Sequence, residues 1–72
     1  MVTVVVPNQA NNHGAVEIRV DDVHMATVCG TVTDIDLEPA VNQFMVVVET
    51  DHVVHYLWAD AIKQAPEQHH GR

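Results

Sequence analysis

The sequence is short of three residue types that would each allow a particular chemistry: it has one cysteine, no serine and only three basic residues. With no second cysteine, Cys29 cannot form an internal disulfide, and a lone thiol is typical of a reducing compartment. Without serine, nucleophilic catalysis would depend on Cys29, which lies in a strand-like segment with no helix N-terminus to favour its thiolate. We therefore predict that Cys29 is a buried structural thiol and that the chain is not an enzyme.

The shortage of basic residues leaves the chain strongly acidic. Ten aspartates and glutamates are balanced only by Arg19, Lys63 and Arg72, which gives a formal net charge of −7. A field of this sign repels phosphate backbones and anionic lipid. The charge therefore argues against a nucleic-acid partner and against a membrane surface.

Long apolar runs are also missing. No segment approaches the roughly 20 apolar residues that cross a bilayer, and the N-terminus lacks the basic region and the longer apolar run of a signal peptide. We expect a cytoplasmic protein that neither spans nor binds a membrane. A short domain without catalytic residues is also typical of phage products, so a phage origin is one hypothesis.

The residues that are present favour β-structure. The hydrophobic fraction of 47% is too high for a disordered chain, and no window has helical periodicity over three turns. Turn residues at Asp21–Asp22 and Asp51–His52 predict tight hairpins. We predict one small all-β domain over residues 1–66 and a mobile polar tail over 67–72. Its five or six strands are expected in residues 1–7, 16–21, 26–38, 43–50, 53–58 and 62–65.

Residues 26–38 are long for one strand and change phase. Val28 and Val32 are apolar at even positions, whereas Ile35 and Leu37 are apolar at odd positions. A slip of one residue turns each side chain to the other face, so a bulge or sharp bend is required between these pairs. We predict that it lies near Gly30, because glycine tolerates such a backbone.

Two later strands are apolar on successive rather than alternate residues. Residues 43–50 and 53–58 are therefore expected to be covered on both faces, by a second sheet or by another subunit. A chain of this length buries only about 60% of its unfolded surface, so its own core is marginal. We predict a homo-oligomer, with an interface that includes Val53, Val54, Tyr56 and Ile62.

Two sets of polar residues are candidate metal sites. Asp34, Asp36 and Glu38 lie two apart, but they lack the glycine and the wrapping loop of a calcium site, which favours a solvated acidic face. The histidines are scattered, and His52 and His55 would point to opposite faces of a strand. We expect no metal and no cofactor. A ligand- or metal-binding barrel that uses His13, His24, His52 and His55 stays as a third hypothesis.

One stretch resembles a known family. "WADAIKQAP" (58–66), together with a Gln43–Phe44 pair at the start of a strand, is similar to the Sm-like proteins, especially their bacterial Hfq branch. The resemblance covers residues 16–66. It implies a small antiparallel SH3/Sm-like barrel of five or six strands. It also implies a homo-oligomeric ring in which the fourth strand of one subunit pairs with the fifth of the next.

The same resemblance implies a site for RNA. Family members bind uridine-rich RNA with a lysine-histidine pair, which would place Gln43, Phe44, Trp58 and Asp60 at the RNA. Here Ala59 and Asp60 stand in the positions of that pair, and they supply no positive charge. We therefore predict first a non-enzymatic oligomeric module for protein interaction or scaffolding, with an unidentified protein partner. The alternative is an Sm/Hfq-like RNA-binding ring.

Overall fold

The computed structural model describes residues 1–8 and 12–66, which form six β-strands and no helix. The predicted all-β class is confirmed. The predicted mobile tail, residues 67–72, lies outside the described residues. The strands are β1 (Val2–Val6), β2 (His13–Val20), β3 (Val23–Glu38), β4 (Gln43–Glu49), β5 (Val54–Ala59) and β6 (Ala61–Gln64).

All six strands belong to one sheet in the order β5-β4-β3-β2-β1-β6. Neighbouring strands are antiparallel except β1 and β6, which are parallel. The prediction of an antiparallel barrel is therefore wrong on two points, because the sheet is mixed and it is not closed. Only Asp60 separates β5 from β6, and one residue is too short a link for the hairpin that would pair them.

The core lies on one face of this sheet, which we call the inner face; the opposite one is the outer face. No aromatic side chain is buried there, and the largest fully buried residues are valines, each worth roughly 1.5–3 kcal/mol of burial. Ile35 and Leu37 lie on the inner face beyond the core and stay exposed. The core is therefore small, as the chain length predicted. It consists of Val4, Val6, Val16, Val32, Val46, Val48 and Ala59.

The long strand β3 contains the predicted irregularity at a different position. Its register with β4 shifts between Val32 and Asp34, so Thr33 rather than Gly30 occupies the bulge. Gly30 is required for another reason: a Cβ atom there would lie 2.6 Å from the backbone oxygen of Glu49. The phase change in the sequence revealed the bulge, but the glycine marks a close approach of two strands.

Both predicted hairpins are confirmed. Asp21 and Asp22 have φ values of 50° and 66°, the left-handed conformations that a tight two-residue turn between twisted strands requires. At the second hairpin the Thr50 N–H donates to the Val53 carbonyl at 2.8 Å, and the Thr50 hydroxyl donates to the same carbonyl at 3.0 Å. The Val53 N–H donates back to that hydroxyl at 3.1 Å.

Candidate interaction surfaces

The link between β5 and β6 is fixed by Asp60. Its backbone N–H donates to the Val2 carbonyl at 2.8 Å, and its Oδ2 accepts the Val2 N–H at 2.8 Å. Its Oδ1 accepts the side-chain amide of Gln43 at 3.2 Å. One residue therefore joins the start of β1, the start of β4 and the turn between the two outermost strands of the sheet.

These hydrogen bonds also determine the acidity of Asp60. The Val2 N–H, followed by the Gln43 amide, stabilises the carboxylate and lowers the pKa of Asp60 below its ordinary value. The carboxylate is consequently ionised at neutral pH. The two donors that converge on this side chain are each accepted by a separate carboxylate oxygen.

The residues predicted at an RNA site lie on both faces of the sheet. Gln43 and Asp60 bind each other, Phe44 is half-buried beside Ala59 on the inner face, and Trp58 lies on the outer face. The four side chains therefore do not form one pocket. No local pattern indicates the bonds of Asp60 to Val2, because the two residues are 58 positions apart in the sequence.

The outer face of β5 is exposed. Val54, Tyr56 and Trp58 alternate with the inward-facing residues of the strand and are 45%, 61% and 46% accessible. Residues 53–58 are not covered on both faces within a single chain, because among the described residues no second sheet packs on this side. The predicted cover by another subunit stays a prediction. The same holds for residues 43–50, where Met45 and Val47 lie on the outer face and are only half-buried.

The free edge of β5 presents unpaired backbone groups. The bond between Thr50 and Val53 sets the alternation of the β4–β5 ladder, in which every second residue of a strand turns its N–H and C=O away from its partner. This alternation directs the backbone groups of Val54, Tyr56 and Trp58 outward. Three consecutive pairing positions are therefore available to another strand.

The free edge of β6 is shorter. The Ala65 N–H donates to the Val6 carbonyl at 2.8 Å, while Val6 is paired in register with Gln64. In a parallel ladder this pattern turns the backbone of Gln64, and of Ile62 two residues earlier, outward. The Ile62 side chain packs against the core of its own chain, whereas Val53, Val54 and Tyr56 are exposed. Three of the four predicted interface side chains are thus accessible.

The acidic residues of β3 lie on the outer face, as predicted. Asp34, Asp36 and Glu38 are exposed and alternate with Ile35 and Leu37. A hydrogen bond with Asp34 and repulsion from the same group raise the pKa of Asp36 above its ordinary value, and Glu38 adds to the repulsion. The neighbouring carboxylates of this acidic row therefore make Asp36 harder to ionise.

Within residues 1–8 and 12–66, the cysteine and the histidines form no metal centre. Among the described residues, no three side chains of histidine, cysteine, aspartate or glutamate come close enough to hold an ion. His13 bonds to the Thr31 hydroxyl and His24 to the Thr27 hydroxyl, both at 2.8 Å. Cys29 is exposed, so the prediction of a buried thiol is wrong. Its neighbours Val28 and Gly30 face inward on β3, and strand alternation therefore turns Cys29 outward.

An open groove lies beside Cys29. This groove has a volume of about 630 Å³ and is lined by His13, Cys29, Glu49, Asp51 and His52.

The described residues contain no helix, and so none that could cross a membrane.

Comparison with known proteins finds no relative of this chain. No protein-family model matches the chain, and no curated protein or solved structure resembles it at a significant level. The resemblance to Sm-like proteins therefore stays a prediction. The fold and its exposed surfaces are the basis for the proposals that follow.

Proposed function

We infer that the chain is a non-enzymatic module that associates with copies of itself and presents a protein-binding surface. The observation that carries this inference is the free edge of β5, which is six residues long and contains no proline, no bulge, no lysine and no arginine. Such an edge is a template for pairing with another strand, and isolated proteins normally protect it.

The edge of β6 is the complementary partner. Because β5 and β6 lie at opposite edges of one sheet, head-to-tail pairing uses both edges and leaves neither exposed inside a closed assembly. This is also the pairing that the resemblance to Sm-like rings implies. The proposed ladder joins residues 53–58 of one copy to residues 62–65 of the next.

Charge favours head-to-tail pairing over pairing of two β5 edges. Glu49 is paired with Val54 beside the β5 edge, and the acidic row of β3 lies two strands away. Lys63 lies on β6. Joining β5 to β6 of another copy brings a basic residue towards an acidic surface, whereas joining two β5 edges brings like charges together.

Amide hydrogen exchange tests the ladder residue by residue. In the proposed oligomer the outward N–H groups of Ile62 and Gln64 are protected, together with at least two of the three outward N–H groups of β5, those of Val54, Tyr56 and Trp58. Dilution should remove that protection while the amides of the β2–β3 ladder remain slow. If the five outward amides exchange rapidly at every protein concentration, the edges are unpaired and the inference fails.

The RNA-binding alternative has a direct test as well. Because of the charge of −7 and the acidic Asp60, we expect no tight binding of uridine-rich or adenine-rich oligomers by fluorescence anisotropy near physiological salt. Submicromolar binding that weakens as salt is raised would replace the protein-interaction proposal with the RNA-binding ring. Asp60→Lys should strengthen binding only if that turn lies at the RNA.

A further inference from the structure

The outer face contains two equivalent rows of side chains across three strands. In one row, Asp36 is paired with Met45 and Met45 with Trp58; in the other, Asp34 is paired with Val47 and Val47 with Tyr56. From β3 to β5, each row therefore contains a carboxylate, then an aliphatic side chain, then an aromatic ring. A single apolar residue between an acid and a ring is common on a sheet, but here the same order repeats in adjacent positions.

The dimensions of the rows suit one kind of side chain. Neighbouring strands are about 4.8 Å apart, so the carboxylate and the ring of one row are separated by about 10 Å, with the aliphatic residue between them. The stem of an arginine can lie on Met45 or Val47 while its guanidinium contacts either end. Guanidinium binds carboxylates through paired hydrogen bonds and stacks on aromatic rings.

The distance between the rows suits an extended segment. The rows lie two residues apart along each strand, about 7 Å, which is the repeat between alternate side chains of a β-strand. A partner in extended conformation therefore places residues i and i+2 over the two rows.

The charge of this face lacks an internal partner. Asp34 and Asp36 repel each other, and the basic side chains of the described residues, Arg19 and Lys63, lie on β2 and β6. Lys63 of a neighbouring copy would border β5, which leaves it about 14 Å from the row on β3. A cationic side chain of a partner would therefore meet two aspartates with no basic side chain of the described residues beside them.

We propose that the outer face of β3, β4 and β5 binds an extended protein segment with arginine at alternate positions. The proposal rests on the inferred protein-interaction role and names the chemistry of the partner. Stacking this face on a second copy would bring two acidic rows together, and a nucleic acid would bring phosphates to the same carboxylates, so both occupants are disfavoured.

The test uses the full chain and a pair of peptides of equal composition. One peptide alternates arginine with threonine, and the other contains the same residues in blocks of two (Arg-Arg-Thr-Thr), so that no two of its arginines are at i and i+2. Binding is measured by anisotropy of labelled peptide near physiological salt, and by the emission of Trp58, the single tryptophan of the chain. We expect the alternating peptide to bind about fivefold more tightly than the blocked one and to change the Trp58 emission.

Two double variants remove equal charge from different places. Asp34→Asn with Asp36→Asn should weaken binding of the alternating peptide about fivefold, since two partly exposed ion pairs are lost. Asp22→Asn with Asp51→Asn, at the two hairpins, should change it by less than about twofold. Equal effects of the two double variants, or equal affinity for the two peptides, would reduce the interaction to general charge attraction and overturn the proposal.

Self-association is measured separately in the same samples. Light scattering reports the assembly, whereas the peptide titration reports the two rows, none of whose residues Val54→Pro replaces. Peptide binding by a monomer would refute the inferred ladder and keep this proposal. An oligomer that binds the two peptides equally would support the ladder and overturn this proposal.

Discussion

The two outermost strands of the sheet differ in how their edges are protected, although a single residue separates them in the chain. β6 has four residues, carries Lys63 and is followed closely by Pro66. Short length, a lysine and a nearby proline are features that discourage further pairing. β5 has six residues and none of these features, and its exposed side chains include Tyr56 and Trp58.

The contrast indicates which edge determines association. β5 offers three outward positions and an apolar outer face, while β6 offers two outward positions and little apolar surface of its own. If the strands pair between copies, β5 supplies most of the contact and β6 limits its length. The two edges therefore make different contributions that single substitutions can separate.

Proline on each edge should have the largest effect. Val54→Pro removes an outward N–H from β5 without removing a bond to β4, so the chain should fold and its association should weaken at least about tenfold, or 1.4 kcal/mol. Gln64→Pro removes an outward N–H from β6 in the same way and should weaken head-to-tail pairing to a similar degree. Sedimentation velocity over a concentration series measures both.

The pair of variants also distinguishes two modes of pairing. If Val54→Pro dissociates the assembly while Gln64→Pro leaves it unchanged, two β5 edges pair with each other and β6 takes no part. A circular dichroism spectrum of β type must be retained in both variants, since 73% of the described residues are in strands.

The next largest effect is expected at the joint between the two edges, which is Asp60 with its bonds to Val2 and Gln43. Asp60→Ala removes both acceptors of the joint and leaves the Val2 N–H and the Gln43 amide unpaired, so the midpoint of thermal unfolding should fall by several degrees. Asp60→Asn keeps one acceptor oxygen and should lose less. Unchanged midpoints in both variants would show that the joint does not hold β5 and β6 in place.

Low pH should also destabilise the folded chain, because it protonates Asp60 at this joint. The pKa of Asp60 is lowered in the folded chain, so its contribution to stability is complete above its ordinary value of 3.8 and is lost as pH falls below it. Urea midpoints of the wild type and Asp60→Asn, measured from neutral pH to below pH 3.8, should converge at the acid end. A constant difference would contradict this assignment.

The smallest effect is expected at the acidic row of β3, where removing a charge should raise stability rather than lower it. Because the pKa of Asp36 is raised by folding, the folded chain binds more protons, and stability decreases as pH rises through that window above 3.8. Asp36→Asn should remove this decrease and slightly raise the urea midpoint at neutral pH. A lower midpoint would mean that the carboxylate has a favourable partner.

The strands could be predicted from the sequence because the information is local. Apolar alternation, β-branched and apolar runs, and turn residues indicated the six segments and both hairpins, and the phase change in β3 predicted a bulge. The bulge was misplaced because glycine was assumed to serve the bend, whereas Gly30 allows the close approach of Glu49. Cys29 was assigned to the core on its residue type, although strand alternation turns it outward.

The pairing of the first and last strands could not be predicted because it depends on distant residues. Nothing near Asp60 indicates that its carboxylate binds Val2, or that β6 joins β1 in parallel. The same limit applies to the candidate surfaces. The aromatic residues and the aspartates are visible in the sequence, but the register of three strands is needed to show that they form two repeated rows.

The molar mass of the wild-type chain tests the central claim most directly. Size exclusion with light scattering at tens of micromolar, an order-of-magnitude range for specific association, should give a multiple of the 8.0 kDa chain mass. Val54→Pro should shift it towards a single chain. A well-folded wild-type monomer of 8.0 kDa at these concentrations would contradict the account, because the β5 edge would then be unpaired in the stable species.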